Sequence, residues 1–153
     1  MSTTSLDTRE GSIAALSVTA RYEFEAAHRL EVPAHSDEAN ARDFGMCNRL
    51  HGHNYRLHIS VAGSGNVPSE LERAMVMDFG DLDGIVEDRV LSKVEHQFLN
   101  DLQQFAETPT TAETVAAWIW AELDGPLAEK GVTLTEVLLF ESDKYSARFQ
   151  RTL

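Results

Sequence analysis

Three histidines in this sequence have the type and spacing that a metal centre requires. His51 and His53 flank Gly52, and on a strand two residues at i and i+2 point to the same side. His28 ends an earlier segment and shares the even parity of that segment's apolar residues. Three neutral imidazoles can hold Zn²⁺ and leave a fourth position open, as catalytic zinc sites do. The alternative, three histidines that are only hydrogen-bonded at strand ends, is less favoured because all three extend the apolar faces of their strands.

Cys47 lies four residues before His51, in a loop that leads into the predicted metal site. A lone cysteine is more often a small buried hydrophobe than a reactive group. Here the neighbouring metal would favour the thiolate, which is the form that reacts, so we favour a catalytic role. Because Cys47 is the single cysteine of the chain, an intrachain disulfide and a thiolate-rich structural zinc site are both excluded.

The elements that must position these residues follow from hydrophobic periodicity. Alternation of apolar and polar residues predicts four strands, at residues 17–28, 51–62, 134–141 and 145–150. Apolar residues at helical spacing predict a helix from about Phe79 and another from near Thr111. Polar residues 31–44 are predicted to form a loop, and the Gly-rich cluster at 63–66 to end the second strand. The order β, β, α, α, β, β predicts an α+β fold, a four-stranded antiparallel sheet with two helices on one face.

Local signals predict where the two helices begin and end. Asp78 is the expected N-cap of the first helix. The segment Thr110-Thr111-Ala112-Glu113 is typical of a capping box, with Thr110 as N-cap and Glu113 at the third helical position. Gly125-Pro126 is predicted to end or bend the second helix. The apolar stripe of the first helix is Leu82, Ile85, Val86, Val90 and Val94.

Composition limits the partners and the compartment. The formal net charge is −12, from 13 Lys and Arg against 25 Asp and Glu, so we expect no nucleic-acid partner. No apolar run approaches the roughly 20 residues that span a bilayer, and we expect no membrane association. A single cysteine suits the reducing cytoplasm. We expect residues 1–15 to form a disordered tail and residues 16–153 to form one catalytic domain.

Four motifs, in order along the chain, resemble those of the 6-pyruvoyl-tetrahydropterin synthase family. They are Phe24 to His28, Cys47 to Tyr55, Met75 to Leu82 and Glu95 to Asn100. The resemblance runs from about residue 18 to residue 149, and its most specific part is Cys-x-x-x-His-Gly-His. It implies the tunnelling fold, in which three sheets join into a barrel and two trimers stack as a homohexamer. It also implies that His28, His51 and His53 bind zinc, which polarises the hydroxyl-bearing side chain of a reduced pterin.

The same resemblance implies roles for the other site residues. Cys47 matches the family's general base, and His96 matches a second acid–base group supported by an acidic neighbour. That neighbour is Glu95 here, where the family usually has Asp. Glu141 matches the carboxylate that binds the amino-pyrimidine edge of the pterin. Thr111 and Glu113 match a Thr-x-Glu pair beside the pterin, although helix capping explains Glu113 equally well.

The spacing of Cys47 and His51 resembles one branch of the family. Three residues separate them, as in the bacterial carboxy-forming enzymes, whereas the pyruvoyl-forming enzymes have five. The implied reaction converts 7,8-dihydroneopterin triphosphate to 6-carboxy-5,6,7,8-tetrahydropterin, acetaldehyde and triphosphate, toward 7-deazaguanine nucleosides such as queuosine. The alternatives are the pyruvoyl-forming reaction and a pterin- or zinc-binding protein without turnover. Candidates for contacting the triphosphate are Arg49, Lys93 and Lys144.

Overall fold

The four predicted strands and the two predicted helices are all present in the computed structural model, which describes residues 16–63 and 75–151. The predicted tail at 1–15 and residues 64–66 of the Gly-rich cluster lie outside the described residues. The strands are β1 Ser17–His28, β2 His51–Gly63, β3 Gln97–Phe98, β4 Val132–Phe140 and β5 Ser146–Gln150. The α-helices are α1 Asp37–Phe44, α2 Phe79–Val86, α3 Ser92–Val94 and α4 Ala112–Glu129.

The sheet has the order β3-β1-β2-β4-β5, and its centre is the long antiparallel pair β1 and β2. These two strands pair from Ser17 opposite Ala62 to His28 opposite His51. The predicted count of four strands is wrong by one, because β3 adds a short parallel edge beside β1. A strand of two residues has no alternation from which the sequence could reveal it.

A single hydrophobic core joins the inward face of the sheet to the helices. On β2, Tyr55, Leu57, Ile59 and Val61 are fully buried, as their alternation predicts. The predicted stripe of the first helix is confirmed at its four fully buried members, Leu82, Val86, Val90 and Val94. Residues four positions apart on an α-helix are offset by about 40° around its axis, so a stripe with this spacing rotates away from the core. The π-helical turn Glu87–Leu91 has more residues per turn than an α-helix. It therefore rotates the following residues back and counters that drift.

One prediction about local structure is wrong, and of the prediction that Gly125-Pro126 ends or bends the second helix, the ending does not occur. Helix α1 lies within the polar stretch predicted as a loop, capped by Ser36, whose hydroxyl accepts a hydrogen bond from the amide of Ala39. A polar helix of eight residues has no wide apolar stripe by which sequence could identify it. Pro126 does not end α4, which continues to Glu129. Leu123 and Leu127 are fully buried on either side of the proline, and this packing outweighs the lost backbone hydrogen bond.

The helix N-termini give one confirmation and one correction. Asp78 caps α2, since its carboxylate accepts hydrogen bonds from the amides of Gly80 and Asp81. The predicted capping box at α4 is wrong, because Thr111 is the N-cap and accepts a hydrogen bond from the amide of Thr114. Thr110 is instead fully buried. Within residues 16–63 and 75–151, none of the helices has both the length and the hydrophobicity that crossing a membrane requires.

Candidate metal centre and its surroundings

The end of the β1–β2 pair brings the three predicted histidines together. His28 is the last residue of β1 and lies directly opposite His51, the first residue of β2, while His53 follows on the same face. One ring nitrogen from each histidine lies within 4.8 Å of the others, and Nε2 of His53 is 3.1 Å from Nε2 of His28. The parity argument from sequence therefore places the imidazoles correctly.

Backbone carbonyls orient two of the three rings. The Nδ1 atom of His28 lies 2.8 Å from the carbonyl oxygen of Thr110, and that of His51 lies 2.6 Å from the carbonyl oxygen of Arg49. A carbonyl can only accept, so the proton of each neutral ring lies on Nδ1 and the lone pair on Nε2. Metal-binding histidines are held in this way by a second layer of hydrogen bonds. Together with a ring nitrogen of His53, these two nitrogens form a donor set that fits Zn²⁺ with an open fourth position.

Burial keeps the central imidazole neutral. His28 is fully buried, and this desolvation lowers its pKa to about 4, helped by His51 and His53 and opposed by the hydrogen bond to Thr110. Burial also lowers the pKa of His53, against the attraction of Glu141. Only a neutral imidazole has a lone pair for a metal. At neutral pH both rings are therefore uncharged, as metal binding requires.

Gly52, which lies between His51 and His53 on β2, allows β1 and β2 to approach closely. A Cβ atom at this position would lie 3.3 Å from the carbonyl oxygen of Ala26, closer than ordinary van der Waals contact. Ala26 is paired with His53 in the strand register, so a displacement of this carbonyl would move a candidate ligand. A larger residue between the two histidines would therefore need a small shift of the backbone at Ala26.

Glu141 approaches the same cluster from the other side. It follows the last residue of β4, and its Oε1 lies 3.4 Å from Nε2 of His53. Tyr55 lies beneath the site, with its ring stacked 4.8 Å from Phe24 and 5.4 Å from the ring of His53. Burial and the charge of Glu141 raise the pKa of Tyr55 above its usual range, so the phenol stays neutral. The alternation of β2 predicts that Tyr55 faces the core and gives no sign of its contact with His53.

Cys47 lies beside the strand that carries His28, and its side chain is exposed. It belongs to the 3₁₀ turn Gly45–Asn48, and its carbonyl oxygen accepts a 2.7 Å hydrogen bond from the amide of Leu30. Leu30 is two residues beyond His28. The backbone of Cys47 is therefore fixed close to the end of β1 that carries His28, while its thiol is exposed.

His96 lies at the β3 edge, among carboxylates. Its Nε2 is 3.1 Å from Oε1 of Glu95 and 3.5 Å from Oε2 of Glu25, and its amide donates a 2.7 Å hydrogen bond to the carbonyl of Glu25. Its backbone has φ +55°, a conformation that non-glycine residues rarely adopt. Glu25 belongs to the outward face of β1, whereas the three clustered histidines belong to the inward face. His96 is therefore not part of the three-histidine cluster.

The predicted Thr111–Glu113 pair lies at the start of α4. Thr111 caps the helix, and Glu113 is exposed in its first turn. The preceding residue, Thr110, supplies the carbonyl that orients His28, so this helix begins beside the metal centre. The sequence does not predict that role, because a hydrogen bond between a backbone carbonyl and a distant imidazole leaves no local sequence pattern.

The three basic candidates differ in their ion pairs. Lys93 lies 2.7 Å from Glu122, which already neutralises its charge. Within the described part of the chain, neither Arg49 nor Lys144 lies within 4 Å of a carboxylate. The backbone of Arg49 holds His51, and Lys144 lies in the turn that begins at Glu141.

A sheet that carries three converging imidazoles at one end, backed by helices, defines a candidate metalloenzyme. The profile of the family described as 6-pyruvoyl tetrahydropterin synthase matches residues 17–152. The chain belongs to that family.

Relatives from two branches of the family resemble this chain to a similar degree. A 6-pyruvoyl tetrahydrobiopterin synthase of Drosophila melanogaster is 36% identical over 130 residues, 83% of this chain and 74% of the relative. A 6-carboxy-5,6,7,8-tetrahydropterin synthase of Synechocystis sp. is 37% identical over 129 residues, 84% of this chain and 88% of the relative. The solved Caenorhabditis elegans 6-pyruvoyl tetrahydropterin synthase superposes with a TM-score of 0.78 at 28% identity, covering 92% of this chain and 98% of that one. Family and fold are established, and overall identity does not separate the branches.

Proposed function

We propose that this chain is a zinc-dependent 6-carboxy-5,6,7,8-tetrahydropterin synthase. It would convert 7,8-dihydroneopterin triphosphate to 6-carboxytetrahydropterin, acetaldehyde and triphosphate in the cytoplasm, as a step in queuosine synthesis. The observation that carries the proposal is the three-imidazole cluster with Nε2 of His28 and His51 directed away from their carbonyl partners. The choice of branch rests on the three residues between Cys47 and His51.

Bound zinc, Cys47 and His96 would share the chemistry of the reaction. Bound zinc would supply Lewis acidity, which makes a proton on a neighbouring oxygen easier to remove. The exposed thiol of Cys47 would take a proton from the substrate side chain as general base. His96, flanked by Glu95 and Glu25, would act as the second acid–base group.

Glu141 and the start of α4 would bind the pterin ring. A carboxylate can accept two parallel N–H bonds from an amino-pyrimidine edge, which fixes the orientation of that ring. The 3.4 Å contact of Glu141 with Nε2 of His53 needs a proton on that nitrogen, and a metal ligand carries none there. With His53 bound to a metal through Nε2 this contact would have no proton to share, and the carboxylate of Glu141 would be left to bind the substrate. Thr111 and Glu113 would border the ring from α4, while Arg49 and Lys144 would meet the triphosphate.

Two features support assembly of the site from several copies of the chain, in a homohexamer made of two trimers. His96 lies beside Glu25 on the outward face of β1, whereas the three-histidine cluster lies on the inward face, so His96 is not part of that cluster within one chain. A large apolar side chain is also exposed beside the cluster, since Leu50, which precedes His51, is 69% exposed. A second copy would cover this side chain and bring its His96 to the cysteine and metal of its neighbour. A monomer by light scattering would contradict this arrangement.

Product analysis tests the function directly. Zinc-loaded protein is incubated with dihydroneopterin triphosphate, and acetaldehyde and the pterin product are followed by mass spectrometry. Acetaldehyde together with 6-carboxytetrahydropterin is the expected result, and a chelator should abolish it. Triphosphate release with a pyruvoyl product would assign the chain to the other branch, which the Drosophila relative favours. Zinc binding without any turnover would leave a binding protein, the function that Cys47 and His96 argue against.

A further inference from the structure

Asn100 joins the segment after β3 to the end of β1 through a pair of hydrogen bonds. Its Oδ1 accepts a 3.0 Å bond from the amide of Arg29, and its Nδ2 donates a 2.9 Å bond to the carbonyl oxygen of the same residue. Both backbone polar groups of Arg29 are thus satisfied by one side chain. Arg29 is the residue immediately after His28, so this clamp holds the backbone at the metal centre.

Thr110 extends the clamp to the ring of His28. Its hydroxyl lies 3.3 Å from the carbonyl oxygen of Arg29 and 3.4 Å from Oδ1 of Asn100, while its own carbonyl accepts from Nδ1 of His28. Thr110 is fully buried. Asn100 therefore contacts both groups that determine the direction of the imidazole, namely the backbone next to His28 and the residue that holds its Nδ1.

We propose that Asn100 is a positioning residue of the metal centre, which aims Nε2 of His28 at the metal through Arg29 and Thr110. The proposal rests on the proposed zinc site but concerns a residue that does not itself touch the metal. Substitutions in this second layer of other metal sites weaken metal binding by about 10- to 100-fold. Loss of the Asn100 side chain would leave His28 in place but free to shift its ring away from the common centre.

A second asparagine provides a matched control. Asn40 clamps Val32 in the same way, accepting a 2.8 Å bond from its amide and donating a 3.1 Å bond to its carbonyl oxygen. This clamp holds the loop that contains α1 and makes no bond to the metal ligands or to Thr110. Asn100→Ala and Asn40→Ala therefore remove the same pair of bonds from different places, and a merely structural clamp would give both variants the same phenotype.

The experiment measures the zinc dissociation constant of each variant by competition with a chromogenic chelator, and the urea unfolding of the metal-free proteins. We expect Asn100→Ala to bind zinc at least about tenfold more weakly than wild type, and Asn40→Ala to stay within about twofold. In the metal-free Asn100→Ala protein, the Nδ1 proton of His28 should exchange with solvent faster by NMR. Unchanged zinc affinity and unchanged proton exchange in Asn100→Ala would overturn the assignment.

The remaining outcomes distinguish a failure of this proposal from a folding defect and from a failure of the proposed function. If Asn100→Ala does not fold, Asn100→Asp carries the test, because it keeps the acceptor for the amide of Arg29 and replaces the donor with an acceptor. It also adds a negative charge, so Asn40→Asp, which adds the same charge at the other clamp, is its control. Wild-type affinity in Asn100→Asp would contradict the proposal, and a loss of affinity that Asn40→Asp does not share would support it. If the wild-type protein itself binds no zinc, the proposed function fails. If wild type binds zinc and the Asn100 variants bind it equally well, only the role of Asn100 fails.

Discussion

The Nδ1 atom of His28 lies 2.8 Å from the carbonyl oxygen of Thr110, a residue 82 positions further along the chain. This buried bond connects the end of β1 to the start of α4, and it fixes which nitrogen of the ring carries the proton. It also favours the protonated ring, yet burial dominates and the pKa of His28 falls to about 4. The interior of the protein thus keeps this imidazole neutral and directed toward its two neighbours.

The low pKa of His28 predicts how the stability of the metal-free protein depends on pH. Between about pH 4 and pH 6.5, His28 is protonated in the unfolded chain and neutral in the folded one. The unfolded state then binds more protons, so the free energy of unfolding rises with pH across this window and falls on acidification. A shift from 6.5 to about 4 corresponds to roughly 3 kcal/mol from this residue.

Urea unfolding at pH 4.5 and pH 6.5 measures this dependence. His28→Asn should have a distinctly smaller change in unfolding free energy between the two pH values than wild type. His35→Asn is the control, since that histidine is exposed and its substitution should leave the change intact. An equal change in wild type and His28→Asn would show that His28 is not held neutral by the fold.

Substitution of Cys47 should separate turnover from metal binding. The three imidazoles do not involve the thiol, and the bond to Leu30 is made by the backbone of Cys47. We therefore expect Cys47→Ala to retain stoichiometric zinc by atomic absorption while its kcat falls by at least about 100-fold. Cys47→Ser should retain zinc equally and have at most a small residual rate. Full activity in Cys47→Ala would remove the thiol from the mechanism.

Charge removal should distinguish the candidates for triphosphate binding. Arg49 has no carboxylate within 4 Å among the residues that the structure describes, whereas Lys93 is paired with Glu122 at 2.7 Å. Arg49→Gln should therefore raise KM for the triphosphate substrate by about tenfold, as expected for the loss of one charge-assisted bond. Lys93→Gln should change KM by less than about twofold. The reverse ranking in steady-state kinetics would place the triphosphate at the helix that carries Lys93.

Periodicity was sufficient for the parts of the fold that position the metal ligands. His51 and His53 continue an alternation that ends in fully buried residues such as Leu57, and β1 has the same pattern up to His28. Because side chains on a strand alternate between two faces, only one orientation of each long strand turns all its apolar residues toward the core. The convergence of the three imidazoles follows from that arrangement, and so it could be predicted without any structure.

The second layer of the site could not be predicted in this way. Thr110 and Asn100 act through bonds to backbone groups that lie far away in sequence, and such bonds leave no periodic trace. The local pattern at Thr110 instead indicated a helix cap, which Thr111 provides. The contact between Glu25 and His96 leaves no sequence pattern either, because His96 reaches Glu25 from a turn with positive φ.

The substitution Gly52→Ala tests how closely β1 and β2 must approach at the candidate metal centre. In Gly52→Ala the added methyl would lie 3.3 Å from the carbonyl oxygen of Ala26, and backbone must move to relieve the contact. We expect a loss of about 1–3 kcal/mol in unfolding free energy, as in other overpacked sites. Because Ala26 is paired with His53, zinc affinity should fall as well.

Gly84→Ala is the matched control, since a Cβ at this position in α2 meets no atom within 4 Å. Alanine favours the helix over glycine, so this variant should gain up to about 1 kcal/mol and keep its zinc affinity. Urea unfolding and chelator competition on both variants give the comparison. Wild-type stability and zinc affinity in Gly52→Ala would mean that the strands can separate locally without disturbing His53.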